Sequence, residues 1–445
     1  MTRLSIVLHT HMPYVEGFGT WPFGEEWLWE ALATVYLPLL EVVDGQPVTL
    51  TLTPVLCDQL ETLTGEAGDR FTHFLREIRA PIHAQDAEGL ERGAEPVLAG
   101  EVRRAAGDYT AADEAFERIG RDVVGAYAGL QGVELWASAA THAVLPLVAT
   151  DPGLRLQVGA GVAAHERRFP RWKGGFWLPE CAYRPGLERH LAEYGVTAFC
   201  TYQPGLRGPV RTEAGPVAVP VEWEIVELIW HLEHGYPVDP IYRDYHGRTV
   251  HDLKPWNIGG TPYEHESALA RAEQHARDFL DRVCRREGPV CAALDTELLG
   301  HWWYEGLHWL RTVLAEAGER GVDLVTVSEA IDGADPGRGQ ELAASSWGNP
   351  KDLTTWDSPA VAGMAWSARD AELRTVAAAA MSGAGGDTLA RAARELLALQ
   401  SSDWAFLMTT ELAADYPLAR IAGHREALCA ALEALADSGA PVEPG

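Results

Sequence analysis

The sequence predicts an α/β fold, either a barrel or an open sheet of parallel strands joined by helical crossovers. Three observations carry this. Short apolar runs rich in β-formers recur at wide spacing, the stretches between them have helical character, and chemically interesting polar residues follow the runs closely. In parallel α/β folds the chemistry gathers at the C-terminal ends of the strands. His9 and His11, Thr141 and His142, Glu180, and Asp295 each come just after a candidate strand. One shared site is therefore expected.

In chain order the strand candidates are residues 4–8, 48–53, 133–137, 175–178, 198–201, 217–221 and 290–294, with 324–327 a weaker eighth. Between the second and third, residues 58–132 are helical and charged, with little β signal. They are expected as an excursion beside the sheet. Residues 222–252 are rich in Tyr, His, Pro and Trp. Interruptions beyond about 12–15 residues are usually functional or disordered, and this one is too aromatic for disorder. It is expected as a long active-site loop. Residues 332–339 form a Gly/Asp/Pro/Arg linker. After it come a Trp-bearing segment (345–366) and two patterns with helical three-to-four spacing, one through Leu389, Ala393, Leu396 and Gln400, the other through Ile421, His424, Leu428, Ala431 and Leu435. The expected organisation is a catalytic part over residues 1–335 and a helical C-terminal part over 340–445 that contributes to the cleft. Residues 440–445 are expected to be a loose tail.

Composition narrows the function. With 445 residues, 47% hydrophobic and 22% charged, the chain has the make-up of a soluble globular protein with a large core. No run approaches the ~20 apolar residues of a membrane span. The N-terminus runs from one Arg into a strand without the features of a signal peptide, so a cytoplasmic protein with no membrane partner is expected. A net charge of −28 argues against nucleic acid, which needs basic patches, whereas a neutral polymer is indifferent to it. The six cysteines are scattered with no C-x-x-C pair, which indicates neither a zinc site nor a disulfide framework.

Two segments carry the chemistry: G-F-W-L-P-E-C-A-Y (175–183) and D-T-E-L-L-G-H-W-W-Y-E-G (295–306). Each sets a carboxylate among aromatics just after a strand candidate. Two carboxylates in an aromatic cleft are the equipment for cutting and remaking glycosidic bonds, and lie about 5–5.5 Å apart in retaining enzymes. The aromatics serve because sugar rings present flat C–H faces that stack on them. Surface acids beside core aromatics are the plain alternative for either segment alone; the two together argue against it. His9-Thr10-His11 ends the first strand with both imidazoles on one face. They are expected to hydrogen-bond sugar hydroxyls, although His-x-His after a first strand also opens metal-dependent amidohydrolases, and His142 and Asp295 would be later ligand candidates. Trp27 follows the pair closely and is divided between core and cleft, as is His142 between core and site. Trp347, Trp356, Trp366 and the pair Asp403-Trp404 give the C-terminal part more indoles than a small helical bundle needs. Some are expected in the core and the rest as a stacking platform for a glucan chain.

Taken with L-H-T-H-M-P-Y (8–14), W-P-F-G-E-E-W-L (21–28), A-T-H-A-V-L-P (140–146), S-S-W-G (345–348) and S-S-D-W (401–404), these segments resemble glycoside hydrolase family 57, most closely its 1,4-α-glucan branching enzymes. The resemblance spans most of the chain. It implies a (β/α)7 barrel with an inserted helical region and a C-terminal helical domain, acting on α-glucan without metal or organic cofactor. By position in the motifs, Glu180 is the nucleophile and Asp295 the acid/base. His9, His11 and His142 line the sugar subsite, and Trp27, Trp256, Trp347 and Trp356 hold the glucan. Tyr236, in a Gly-Tyr-Pro loop, covers the site and is expected to face solvent when no glucan is bound. Asp295 would be kept protonated by burial beside Trp302 and Trp303. A family-57 hydrolase or 4-α-glucanotransferase would share both carboxylates, and a non-catalytic glucan binder would keep only the indoles.

Overall fold

The computed structural model describes residues 1–19, 23–338, 341–382 and 386–438. Trp21 and Pro22 of the first aromatic segment, and the expected tail at 440–445, lie outside the described residues. The strands are β1 (Thr2–Thr10), β2 (Thr49–Leu52), β3 (Glu134–Ser138), β4 (Gly175–Trp177), β5 (Ala198–Thr201), β6 (Val210–Arg211), β7 (Val217–Pro220), β8 (Val290–Asp295), β9 (Val322–Leu324) and β10 (Gly337–Arg338). The seven main candidates all fall on strands. Residues 324–327 fall only partly, because Thr326 and Glu329 form a capping box that starts a helix at Val327 and ends strand character early. β6 and β10 are two residues each, too short to show any period.

The chain forms two compact units. The first comprises Met1–Thr51, Leu56–Leu135 and Val221–Asp335; the second comprises Leu52–Val55, Trp136–Pro220 and Pro336–Gly445. In the first unit β1 lies between β2 and β8. Its parallel register with β8 runs from Leu4 opposite Val290 to His9 opposite Asp295, and its start also pairs with β9. β1 is buried from Leu4 to Thr10 and β8 from Val290 to Leu294. Continuous burial is what a parallel strand covered on both faces shows.

The excursion is helical as expected, with Pro54–Thr62, Glu66–His73, Ala80–Arg92, Pro96–Arg118 and Val123–Gly129 as its α-helices. Residues 222–252 are not a plain loop. They open with the helix Trp223–Trp230, whose Ile225, Val226 and Ile229 share one buried face at helical spacing.

In the second unit the strand order is β10-β6-β7-β5-β4-β3. Every pair is parallel except the antiparallel β6–β7. At the head of β4, Gly175 is needed for space: a Cβ there would stand 2.1 Å from the Nε1 of buried Trp136. The C-terminal helices are Ala362–Ser382, Asp387–Leu399, Ser402–Thr409 and Tyr416–Ser438. Ala371, Ala392, Leu396, Leu399, Leu428 and Ala431 form their core; from the two apolar patterns seen in the sequence it takes Leu396, Leu428 and Ala431, while Leu389, Ala393, Ile421 and Leu435 are half-buried. Among the described residues, none of the six cysteines forms a disulfide. Among the described residues no helix is long and apolar enough to cross a membrane.

Candidate active site

Each unit carries one of the two carboxylates. In the second unit, β4 ends at Trp177 and the chain turns sharply through Pro179–Cys181. Glu180 and Cys181 both take left-handed backbone (φ 61° and 49°), and so does His142 (φ 58°). Non-glycine residues in that region cost about 1–3 kcal/mol each and persist where surrounding structure over-determines them, often at functional sites. The bonds that hold Glu180 are visible. The Trp347 backbone N–H donates to its carbonyl (2.9 Å), and the Trp347 indole Nε1–H donates to Oε2 (2.9 Å). The Ser402 hydroxyl donates to Oε1 (3.0 Å).

With its one proton given to Glu180, Ser402 accepts from His142 Nδ1, 2.8 Å away. His142 Nδ1 is itself 3.7 Å from Glu180 Oε1. Both carboxylate oxygens thus have a fixed donor, which selects one rotamer. The S-S-W-G segment is anchored in turn by paired backbone bonds between Tyr183 and Ser345 (2.9 and 3.0 Å). Trp347, expected to hold glucan, therefore also positions Glu180. Its ring meets Trp177 edge to face, with centroids 5.0 Å apart.

Two other indoles depart from expectation. Trp356 and Trp404, read as parts of a stacking platform, are 3% and 2% exposed. Trp356 packs with Val144 and Ala182 in a core cluster, and Trp404 donates its Nε1–H to the Ala398 carbonyl. Their faces are covered by protein and not offered to a sugar. Asp403 is half-buried and accepts from the Ser401 hydroxyl. Ser402, the residue of that segment that touches Glu180, was missed: an isolated serine carries no spacing signal, and only its place in S-S-D-W pointed there.

In the first unit, Asp295 ends β8 half-buried, opposite His9. His9 is 2% exposed with Nδ1 2.8 Å from Thr51 Oγ1. The rings of His9 and His11 stack at 6.0 Å and 14°, the common face that the i, i+2 spacing requires. Trp27 and Trp256 are half-buried, so each can present part of an indole. Trp303, expected to cover Asp295, is a core residue against Tyr242 and Trp309 (5.5 and 5.7 Å), while Trp302 is 43% exposed and packs on Tyr245 (4.6 Å).

Tyr236 does not face solvent. It is 8% exposed, donates to Asp278 Oδ2 at 2.7 Å, and stacks on His275 at 4.5 Å and 17°. Both partners belong to the helix His265–Cys284. Tyr236→Ala is therefore expected to lower stability by about 3–5 kcal/mol, as for other buried aromatics. Tyr236→Phe, which loses only the bond to Asp278, is expected to lose about 1.5–3 kcal/mol. Denaturant midpoints check both.

The same arrangements can be set beside known proteins. Residues 5–341 match glycosyl hydrolase family 57, and residues 367–443 match the C-terminal region of 1,4-alpha-glucan branching enzymes. The 1,4-alpha-glucan branching enzyme of Thermococcus kodakarensis is 32% identical over 95% of this chain and 72% of its own. The crystal structure of the family-57-type branching enzyme of Pyrococcus horikoshii has a TM-score of 0.90 at 33% identity, over 99% of this chain and 92% of that one. The alpha-amylase AmyC of Thermotoga maritima has a TM-score of 0.86 at 25% identity, over 99% and 94%. A match over most of the chain, and likeness at this level to solved structures, make this protein a member of glycosyl hydrolase family 57.

Proposed function

We propose that the protein is a 1,4-α-glucan branching enzyme. It cleaves an α-1,4 bond of a glucan, keeps the released chain as a covalent ester, and passes it to a sugar 6-hydroxyl to make an α-1,6 branch. One observation carries this choice above hydrolysis. The region that matches branching enzymes contains Ser402, and Ser402 donates to Glu180.

In the first step Glu180 attacks the anomeric carbon while Asp295 gives its proton to the leaving oxygen; the glycosidic bond breaks and a β-glycosyl ester forms. In the second, Asp295 takes the proton of the acceptor hydroxyl, whose oxygen attacks the same carbon and expels Glu180. Two inversions retain the α configuration. The bonds from Trp347 and Ser402 support Glu180 as nucleophile, because they aim its oxygens before substrate arrives. His9, His11 and His142 contact the sugar at the cut, and Asp403 of the S-S-D-W segment is a further sugar contact. The half-buried indoles of Trp27 and Trp256 hold the chain by stacking. Tyr236 anchors its turn on the helix His265–Cys284. The enzyme works in the cytoplasm on an amylose- or glycogen-like polymer, and its product belongs to storage-glucan synthesis.

Transfer competes with water, which the site must exclude for the ester to survive. With amylose, the iodine stain is expected to fall with little release of reducing ends. Reducing ends rising in step with the lost stain would make the protein a hydrolase. Activity is expected to survive exhaustive chelation; loss to a chelator and recovery with zinc would favour the metal reading of the His pair. Trp347→Phe keeps most of the ring but removes a bond to a charged group, worth about 1.5–3 kcal/mol. Its kcat/KM on amylose is expected to fall about tenfold to a hundredfold, with a melting temperature lowered by only a few degrees.

A further inference from the structure

A second carboxylate close to Asp295 has no part in that scheme. Glu297 lies in the short turn Thr296–Leu298 that follows β8. Its Oε1 accepts the Tyr36 hydroxyl at 2.5 Å and the His11 backbone N–H at 3.1 Å. The register explains the second bond. Backbone pairing of β1 with β8 ends at His9 opposite Asp295. The next pair, Thr10 and Thr296, is joined through its hydroxyls at 2.7 Å, and the pair after that is His11 with Glu297. Two side-chain bonds thus carry the alignment past the end of the strands.

Tyr36 gives this clamp a rigid support. It closes the π-helical stretch Leu32–Tyr36, and its carbonyl accepts the Tyr127 hydroxyl at 2.8 Å. The chain after Glu297 presses on the same stretch. Gly300 has φ 126°, and a Cβ there would stand 2.4 Å from the Thr34 carbonyl oxygen. Short π-helical stretches are rare and are frequently found at functional sites.

We propose that Glu297 is a positioning residue of the transfer reaction: its Oε1 ties the His11 amide to the Tyr36 hydroxyl and so holds His9 and His11 in line with Asp295. This rests on the reading of Asp295 as acid/base. The titratable groups around Glu297 are His9 near the end of β1 and His11 just beyond it, Tyr36 from the π stretch, Tyr127 from the helix Val123–Gly129, and Asp295 at the end of β8. Burial pushes the Glu297 carboxyl up to about 7, against the lowering pull of the Tyr36 bond and of His11. The ionised form is the stronger acceptor. The clamp is therefore tightest above that pH and loosens as Glu297 takes up a proton.

The test is the ratio of wild-type to Glu297→Gln kcat on amylose across pH, which cancels every titration the two proteins share. At pH 8 the ratio is expected to be about ten, the tenfold that 1.4 kcal/mol represents. It is expected to fall towards one as pH drops through the value near 7, where wild type is protonated as well. Tyr36→Phe removes a bond that lowers the Glu297 value, so in that variant the loss of rate on acidification is expected to begin at higher pH. If Glu297→Gln does not fold, Tyr36→Phe carries the test alone. A ratio that does not vary with pH, or an unmoved profile in Tyr36→Phe, would overturn the proposal and leave Glu297 a structural residue. Failure of the underlying reading is separate: it shows as full activity in Asp295→Ala, whatever Glu297 does.

Discussion

Glu180→Gln is expected to abolish cleavage and transfer together, with the fold intact. The amide keeps the volume of the side chain and an oxygen for Ser402, so the hydroxyl bond at Oε1 survives. At the other oxygen, an amide NH2 would face the Trp347 Nε1–H, and a donor would meet a donor. The loss of that single bond is expected to cost about 1.5–3 kcal/mol of stability, too little to unfold a domain of this size. The loss of the nucleophile is far larger, because removing the nucleophile of a covalent mechanism typically costs about a millionfold in kcat. Steady-state rates on amylose and a denaturation curve separate the two effects. Turnover close to wild type would remove Glu180 from the mechanism.

Asp295→Ala is expected to be strongly impaired on amylose, less than Glu180→Gln and for a different reason. It cannot protonate the leaving oxygen of a natural glucan, and general acid–base catalysis contributes about a hundredfold to ten-thousandfold. A glycosyl fluoride needs no proton to leave. The variant is therefore expected to form the ester from an α-maltosyl fluoride at a near-normal rate and then to stall, because no base activates the acceptor. Mass spectrometry of the trapped protein should place the sugar on Glu180. An ester on any other residue would contradict the assignment of both roles.

How far the sequence foretold this molecule can be seen residue by residue. β5 and β8 were legible because buried parallel strands leave near-continuous apolar runs, and β1 likewise, broken only by Ser5. β6 and β10 left no trace, since two residues define no period. Glu180 stood out by its aromatic neighbours and its place after a strand. Ser402 and Glu297 did not, for their importance lies in what folding brings beside them: Glu180 in one case, Tyr36 and the His11 amide in the other.

Tyr236 shows the same limit from the other side. Its turn has too few aliphatic residues to bury it, which is why it was expected in solvent. Its cover comes from Asp278 and His275, about forty residues further on. Trp356 and Trp404 were counted as candidate platforms because composition registers an indole but not which of its faces is covered. Aromatic excess is a sound pointer to a carbohydrate protein and a poor one to individual subsites.

The central claim is that this protein makes α-1,6 linkages from α-1,4 glucan. The most direct measurement is to incubate it with unbranched amylose, treat the isolated product with a debranching enzyme, and compare chain lengths before and after. The account predicts that debranching releases a population of short chains absent from the starting amylose, with a matching rise in reducing ends only at that step. A product whose chain-length distribution is unchanged by debranching, whether it is shortened or redistributed, would contradict it.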